Sequence, residues 1–350
     1  MVEKFPTEEE IAAALACYSG DLYNMADVMD FLNITDIFKP NTTRLIAWLV
    51  SLHLIRPDRV HWITEIKQLT HYYQRCLERF FDEETLKKPL FTTKPEQGEP
   101  IEQTITEVYP WFEKFALCCG IDERFISEAP FRVKRILATL CHDVPKFKYS
   151  PIYKYIGYIS YLIPLSYVQK GSLPISFAEG VGYHLTRSII SLVSFHKNLD
   201  DRGISEDHKT ELIRIFKRFD HKTYDLMVNA KINILEFSLV WERTLFVELH
   251  APLNVLLIWD NLFFHSHDYR NYVRYLLVAH FRQMGRAKID FTSDESIDNM
   301  MWDATEIVED TDKLIHDDKV SEKEIYMQMF CPCYQFMQFF KQPLFGWRRK

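Results

Sequence analysis

The stretch from Glu236 to Phe263 limits the fold of this chain more than any other. It reads Glu236-Phe237-Ser238-Leu239-Val240-Trp241-Glu242-Arg243-Thr244-Leu245-Phe246, then Leu249, then Leu256-Leu257-Ile258-Trp259-Asp260-Asn261-Leu262-Phe263. Apolar residues recur at helical spacing and Pro252 marks a short break, so the pattern predicts two apolar helices, 235–249 and 252–264. Two tryptophans on such faces need a large core around them. Asp260, an acid beside a core tryptophan, must find hydrogen-bond donors there, because an unpaired buried carboxylate is prohibitively costly. Glycine accounts for only 10 of 350 residues, well below the ~7% usual in globular chains. Strand-like alternation is scarce, so the expected class is all-α.

The same periodicity places helices elsewhere. Residues 7–32 read as two short helices, with Thr7 as N-cap and Glu8, Glu9 and Glu10 in the first turn, where the helix dipole favours acids. Arg44–Leu52 and 60–82 follow. Lys87–Pro100, with three prolines and a glycine, reads as a loop. Helices resume near Ile101 and continue through Arg132–Leu140, Ile152–Ile163, Ser176–Phe195, His208–Phe219, Tyr224–Ala230 and Tyr269–Met284. Asp303–Lys323 follows a polar link into a last helical region, is dense in charge and reads as a solvated helix face or loop. The end, Tyr326–Trp347, is aromatic and rich in sulfur, and such side chains need a surface to bury against. Docking on the protein's own domain, a partner surface, and lipid attachment at Cys331 and Cys333 are the readings it allows.

Several function classes drop out. A formal net charge of -7 gives no basic footprint for nucleic acid. The apolar run Tyr155–Val168 contains Pro164 and is too short to span a bilayer, so it reads as a buried core helix and no transmembrane segment is expected. The acidic N-terminus lacks a signal core, which leaves the sequons at Asn33 and Asn41 idle. Seven cysteines at unpaired spacings suit a reducing compartment, so a cytoplasmic location is expected, peripheral to membranes or cytoskeleton. There is no G-x-S-x-G, H-E-x-x-H or P-loop. His265-Ser266-His267-Asp268 has the wrong spacing for a helical ligand pair. No metal or cofactor is expected.

Across residues 41–285 the chain resembles TBC domains, the GTPase-activating domains that act on Rab GTPases. Arg44 and Trp48 match an opening Arg-x-x-x-Trp helix. Asp220, Tyr224 and Leu226 resemble the family's stretch before the Trp/Leu-Phe helix. Trp241, Leu245-Phe246 and Trp259-Asp260-x-Leu262-Phe263 carry the specific part. The resemblance implies a multi-helix TBC-type (RabGAP-like) domain at 41–285. Residues 1–40 form an N-terminal helical extension to it, and 286–350 a charged linker with an aromatic C-terminal helical segment. Arg44, Trp48, Trp241, Phe246, Trp259 and Asp260 take structural roles in this reading.

TBC domains catalyse with an arginine finger in I-x-x-D-x-x-R and a glutamine finger in Y-x-Q. The first stabilises charge on the transferred phosphoryl group, and the second replaces the water-orienting glutamine of the GTPase. Here the first motif is matched by Ile101 through Pro110. That puts Thr104 in place of the Asp and Glu107 in place of the arginine. The second falls on Tyr149-Ser150-Pro151, with Pro151 where the glutamine belongs, and a shifted alignment on Gly157 gives Ile156 instead. Tyr167-Val168-Gln169 spells Y-x-Q but follows the apolar helix that should come after the motif. Glu107, Tyr149 and Pro151 are therefore expected binding positions without catalytic residues. The favoured expectation is a pseudo-GAP that binds a Rab-type small GTPase or acts as a scaffold, with further protein partners on Tyr326–Trp347. The alternatives are an active GAP using Arg124, Arg132 or Arg135, and a structural component of a cytoskeletal or ciliary assembly.

Overall fold

In the computed structural model, residues 4–16, 42–82, 95–145, 147, 149–169, 171, 173–196, 199–200, 203–290 and 300–330 are described. Local chemistry sets the ends of the helices. Thr7 accepts a bond from the Glu10 backbone at 3.3 Å and Glu10 accepts one from the Thr7 backbone at 2.9 Å, a reciprocal cap on α1 (Glu8–Leu15). After it come α2 (Thr42–Ser51), α3 (Trp62–Phe80), α4 (Pro95–Cys118), the short α5 (Glu123–Ile126), α6 (Ala129–Asp143), α7 (Tyr153–Gln169) and α8 (Ile175–His196). A ladder of two two-residue strands, β1 (Leu199–Asp200) and β2 (Gly203–Ile204), leads into α9 (Glu206–Asn229). Then come α10 (Ile234–Arg243), α11 (Pro252–Phe264), α12 (Tyr269–Arg286) and α13 (Ala304–Phe330). The fold is all-α.

The centre of the molecule is the hairpin of α7 and α8. Tyr155 to Val168 is buried along its whole length, as an apolar helix without a polar face requires. Close approach is achieved by glycine. A Cβ on Gly157 would meet Val133 at 2.9 Å, and one on Gly182 would meet the Ser160 carbonyl at 3.2 Å. One neighbour of the pair, α6, lies against α4, and α2 packs between α7 and α11.

Two local expectations are corrected and two are refined. The stretch 95–100, read as loop, is the start of α4. Pro95 opens the helix, where its missing N–H is no loss, and Pro100 removes a single bond in the second turn. The helix expected to reach Leu249 stops at Arg243, because Leu245 and Phe246 adopt left-handed backbone at φ 48 and 63. The break expected between helices at 208–219 and 224–230 falls at Asp220 (φ -153, ψ 68), where α9 kinks and the Asp220 carboxylate accepts from the Thr223 backbone at 3.1 Å and hydroxyl at 2.7 Å. The charged stretch from Asp303 is a helix with a solvated face, as expected, and its other face is docked. Asp303 caps it by accepting from Thr305 and Glu306 N–H at 3.0 and 3.1 Å. Ile307 and Leu314 are buried, and Asp310 pairs with Arg282 at 2.9 Å. With α1 on α3 and α13 on α11 and α12, helical packing runs beyond residues 41–285 in both directions. The backbone of α13 reaches Phe330. Cys331, Cys333 and the rest of the Tyr326–Trp347 segment lie outside the described residues, as do Asn33, Asn41 and the second expected helix before residue 32.

Candidate functional site

The tryptophan motifs form one buried cluster. Arg44 on α2 donates from Nε and Nη2 to Asp260 on α11 at 2.9–3.1 Å, and Trp48 Nε1 donates to the same carboxylate at 2.6 Å. Arg44 is 0% and Asp260 4% exposed. Burial pushes the Asp260 carboxyl up, while Arg44 and the Trp48 N–H pull it back. Trp259 Nε1 donates to the Leu245 carbonyl at 3.0 Å, which holds the left-handed turn in place. Trp48 packs edge-on to Phe263 at 4.8 Å, and Phe246 stacks on His280 at 4.9 Å. Trp241 is buried between Phe281 and Trp302. This network ties α2, α10, α11 and α12 into one core and presents no reactive group to solvent.

The candidate site lies on α4 and on the loop between α6 and α7. Ile101, Thr104, Ile105 and Val108 face inward, so Glu107 stands on the exposed side of α4. Its carboxylate accepts from Gln103 Nε2 at 2.9 Å. The loop brings Tyr149 against the helix, and its hydroxyl bonds to that of Thr104. Burial pushes the Tyr149 phenol up to about 12, with the Glu107 carboxylate adding to the rise and the Thr104 bond opposing it, so Tyr149 is neutral at physiological pH. Tyr153 sets its ring edge-on to Tyr149 at 6.2 Å. Pro151 is exposed just before α7. The structure thus brings Thr104, Glu107 and Tyr149 together, with Pro151 two residues along the loop. Ile156, the position reached by the shifted alignment, is buried inside α7.

Two arginines considered as substitute fingers are committed to the core. Arg132 donates to Glu179 at 2.9 Å and to Glu128 at 3.0 Å, and Arg135 pairs with Glu179 through Nε and Nη2. Tyr73 also donates to Glu179. Burial pushes the Glu179 carboxyl up, but Arg135 and Arg132 more than offset this and leave it below the ordinary range. Glu179 was not singled out in the sequence. The available signal was a lone acid in the apolar helix Ser176–Phe195, which implies a buried counter-charge. Arg124 is 67% exposed and pairs with Asp122 at 3.4 Å. It lies past the end of α4, and the helix from Glu107 to Cys118 alone spans ~16 Å. Gln169, the chance Y-x-Q glutamine, holds that end. Its amide donates to the Gly120 carbonyl at 2.8 Å and accepts from Asp122 N–H at 3.0 Å.

No group of three or more His, Cys, Asp or Glu side chains suited to a metal ion occurs among the described residues. His265 faces Asp312 at 3.8 Å and stacks on Tyr272 at 4.1 Å. No described helix is long and apolar enough to cross a membrane.

No family model matches the sequence, and no curated protein matches it. The fold is similar to the crystal structure of the Ypt/Rab-GAP domain of Gyp1p, with a TM-score of 0.60 and 12% identity, covering 90% of this chain and 100% of that one. At this identity the likeness establishes a TBC-like all-α fold.

Proposed function

We propose that this protein is a pseudo-GAP, which binds a Rab-type small GTPase or scaffolds around one without accelerating GTP hydrolysis. The observation that supports this reading is that Tyr149 on the α6–α7 loop bonds to Thr104 on α4, one helical turn from Glu107 and two residues before Pro151, the residues that stand where the resemblance expects the fingers. Neither residue supplies the guanidinium or amide the chemistry needs. A carboxylate adds charge where a γ-phosphate already repels it, by several kcal/mol at a few ångströms and an effective dielectric near ~20. The engagement of Arg132 and Arg135 with Glu179 weighs against an active GAP with a substitute finger. A Rab-type partner would place the protein at the cytoplasmic surface of membranes, in vesicle traffic. Binding is tested by capturing a panel of Rab-type GTPases, loaded with GDP or with a non-hydrolysable GTP analogue, on the immobilised full chain. Saturable capture of at least one GTPase, weakened when Tyr149→Ala removes the ring and hydroxyl that join the loop to α4, is expected. Failure to capture any in either state would refute it.

A further inference from the structure

Two histidines meet in the core where α13 begins. His250, on the turn before α11, and His280, on α12, place their Nε2 atoms 2.9 Å apart. His280 Nδ1 lies 2.6 Å from the Leu276 carbonyl, and a carbonyl only accepts, so that nitrogen carries the ring proton and His280 Nε2 is an acceptor. His250 must then donate from Nε2. Its Nδ1 is left as a buried acceptor with no partner among the described residues. Trp302 packs on both rings, 6.0 Å from His250 and 5.3 Å from His280. The next residue, Asp303, caps α13 and donates its N–H to Gln283 Oε1 on α12 at 3.1 Å.

The pair holds two protons in this arrangement and has no place for a third. Added to His250, the third proton sits on Nδ1, which no described group faces as an acceptor. Added to His280 Nε2, it forces His250 into its other tautomer and leaves the same Nδ1 with an N–H. Either way a charged ring is buried with an unsatisfied donor, which water can relieve only if the site opens. The geometry points to an acid-sensitive latch: neutral His250 and His280 hold Trp302 and the start of α13 against α12, and protonation of the pair releases that start. The charged groups of the surrounding elements are turned elsewhere. Glu242 pairs with His208 at 2.6 Å, Glu248 accepts from Tyr155 at 2.7 Å, and Asp260 binds Arg44. Arg282 and Arg286 pair with Asp310, Glu306 accepts from Gln283 at 2.9 Å, and Arg243 is exposed. Burial holds His250 at about 4 and His280 well below the ordinary histidine range, with repulsion from His250 adding to the second. Released, both rings return toward ~6.5. The open form thus binds more protons, so the latch is closed above ~6.5 and weakens as pH falls toward 4. Between pH 7 and pH 5 the open population rises about 20-fold through His250, and further through His280. Farther along, Asp310 pairs with Arg282 at 2.9 Å and Asp318 with Arg214 at 3.3 Å, which confines the opening to the start of the helix.

The test is amide hydrogen exchange of the full chain at pH 7 and pH 5, corrected for the intrinsic effect of pH on exchange. The amides of 303–310 report the latch, and those of α7 serve as the internal reference. In the wild-type chain the opening of 303–310 is expected to rise by ~100-fold or more at pH 5, while α7 stays protected. His250→Gln can still donate to His280 Nε2 but takes up no proton, so it should cut that rise by at least ~10-fold. A rise that comes from other groups, such as the Asp303 carboxylate, survives in this variant. Unchanged opening of 303–310 in the wild-type chain overturns the latch. An equal rise in α7 does the same, because the response is then global, and so does a full rise in His250→Gln. If the substitution unfolds the chain, the wild-type comparison of 303–310 with α7 decides alone.

Discussion

Replacing Asp260 by Asn removes one charge from the core and almost no volume, so it isolates the electrostatic part of the tryptophan motif. In the wild-type protein the carboxylate receives bonds from Arg44 Nε and Nη2 and from Trp48 Nε1, all at 2.6–3.1 Å. Asn keeps one acceptor oxygen. It leaves the Arg44 guanidinium, fully buried, beside a neutral partner whose NH2 group opposes one of its donors. Breaking a buried pair in this way costs ~3–5 kcal/mol, a large part of the ~5–15 kcal/mol that holds a domain together. Arg44→Met should cost a similar amount, because it strands the carboxylate. The double variant Arg44→Met/Asp260→Leu removes both charges together and leaves the Trp48 N–H without its acceptor, a cost of ~1–3 kcal/mol. The double variant should therefore be clearly more stable than the sum of the singles predicts. Urea denaturation followed by tryptophan fluorescence measures these proteins and the Asp260→Leu single variant that closes the cycle. A loss below ~1 kcal/mol for Asp260→Asn, or additive single losses, would refute the assignment of this pair as a coupled structural unit.

Other expectations follow from the same core. Trp259→Ala removes a fully buried ring and the bond to the Leu245 carbonyl, and should cost ~3–5 kcal/mol in chemical denaturation; a midpoint near wild type would remove Trp259 from the core role. Glu179→Gln leaves Arg132 and Arg135 with a neutral partner and should destabilise by a comparable ~3–5 kcal/mol, whereas a neutral outcome would show that the two arginines find other partners. His184 and His250 are held near a pKa of about 4 by burial. The unfolded chain, with histidine near ~6.5, binds more protons between those values. The contribution is therefore complete above pH ~6.5 and is lost as pH falls toward 4, with a slope of up to ~1.4 kcal/mol per pH unit for each histidine. Denaturant midpoints at pH 7 and pH 5 test this, and equal midpoints would contradict it.

The apolar period of Pro252–Phe264 and of the Tyr155–Val168 stretch was enough to place α11 and the centre of α7, because a helix without a polar face has nowhere to go but the core. The partner of Asp260 was not legible, since Arg44 lies 216 residues away in sequence. Leu245 and Phe246 were read as helix because neither residue type signals left-handed backbone. What permits that turn is the Trp259 N–H on the Leu245 carbonyl, a tertiary contact. At the candidate site the residues on α4 and on the loop were found through a resemblance, and the hydroxyl pair of Thr104 and Tyr149 joins them across 45 positions. Glu179 was missed because the weight of a lone acid depends on which arginines fold against it.

The central claim is that Glu107 and Pro151 leave this fold without GTPase-activating chemistry. Single-turnover hydrolysis by each captured GTPase, with and without saturating full-length protein, tests it most directly. The account predicts a hydrolysis rate unchanged within a few-fold. An acceleration of ~10³ or more, the range in which a supplied arginine acts, would contradict it.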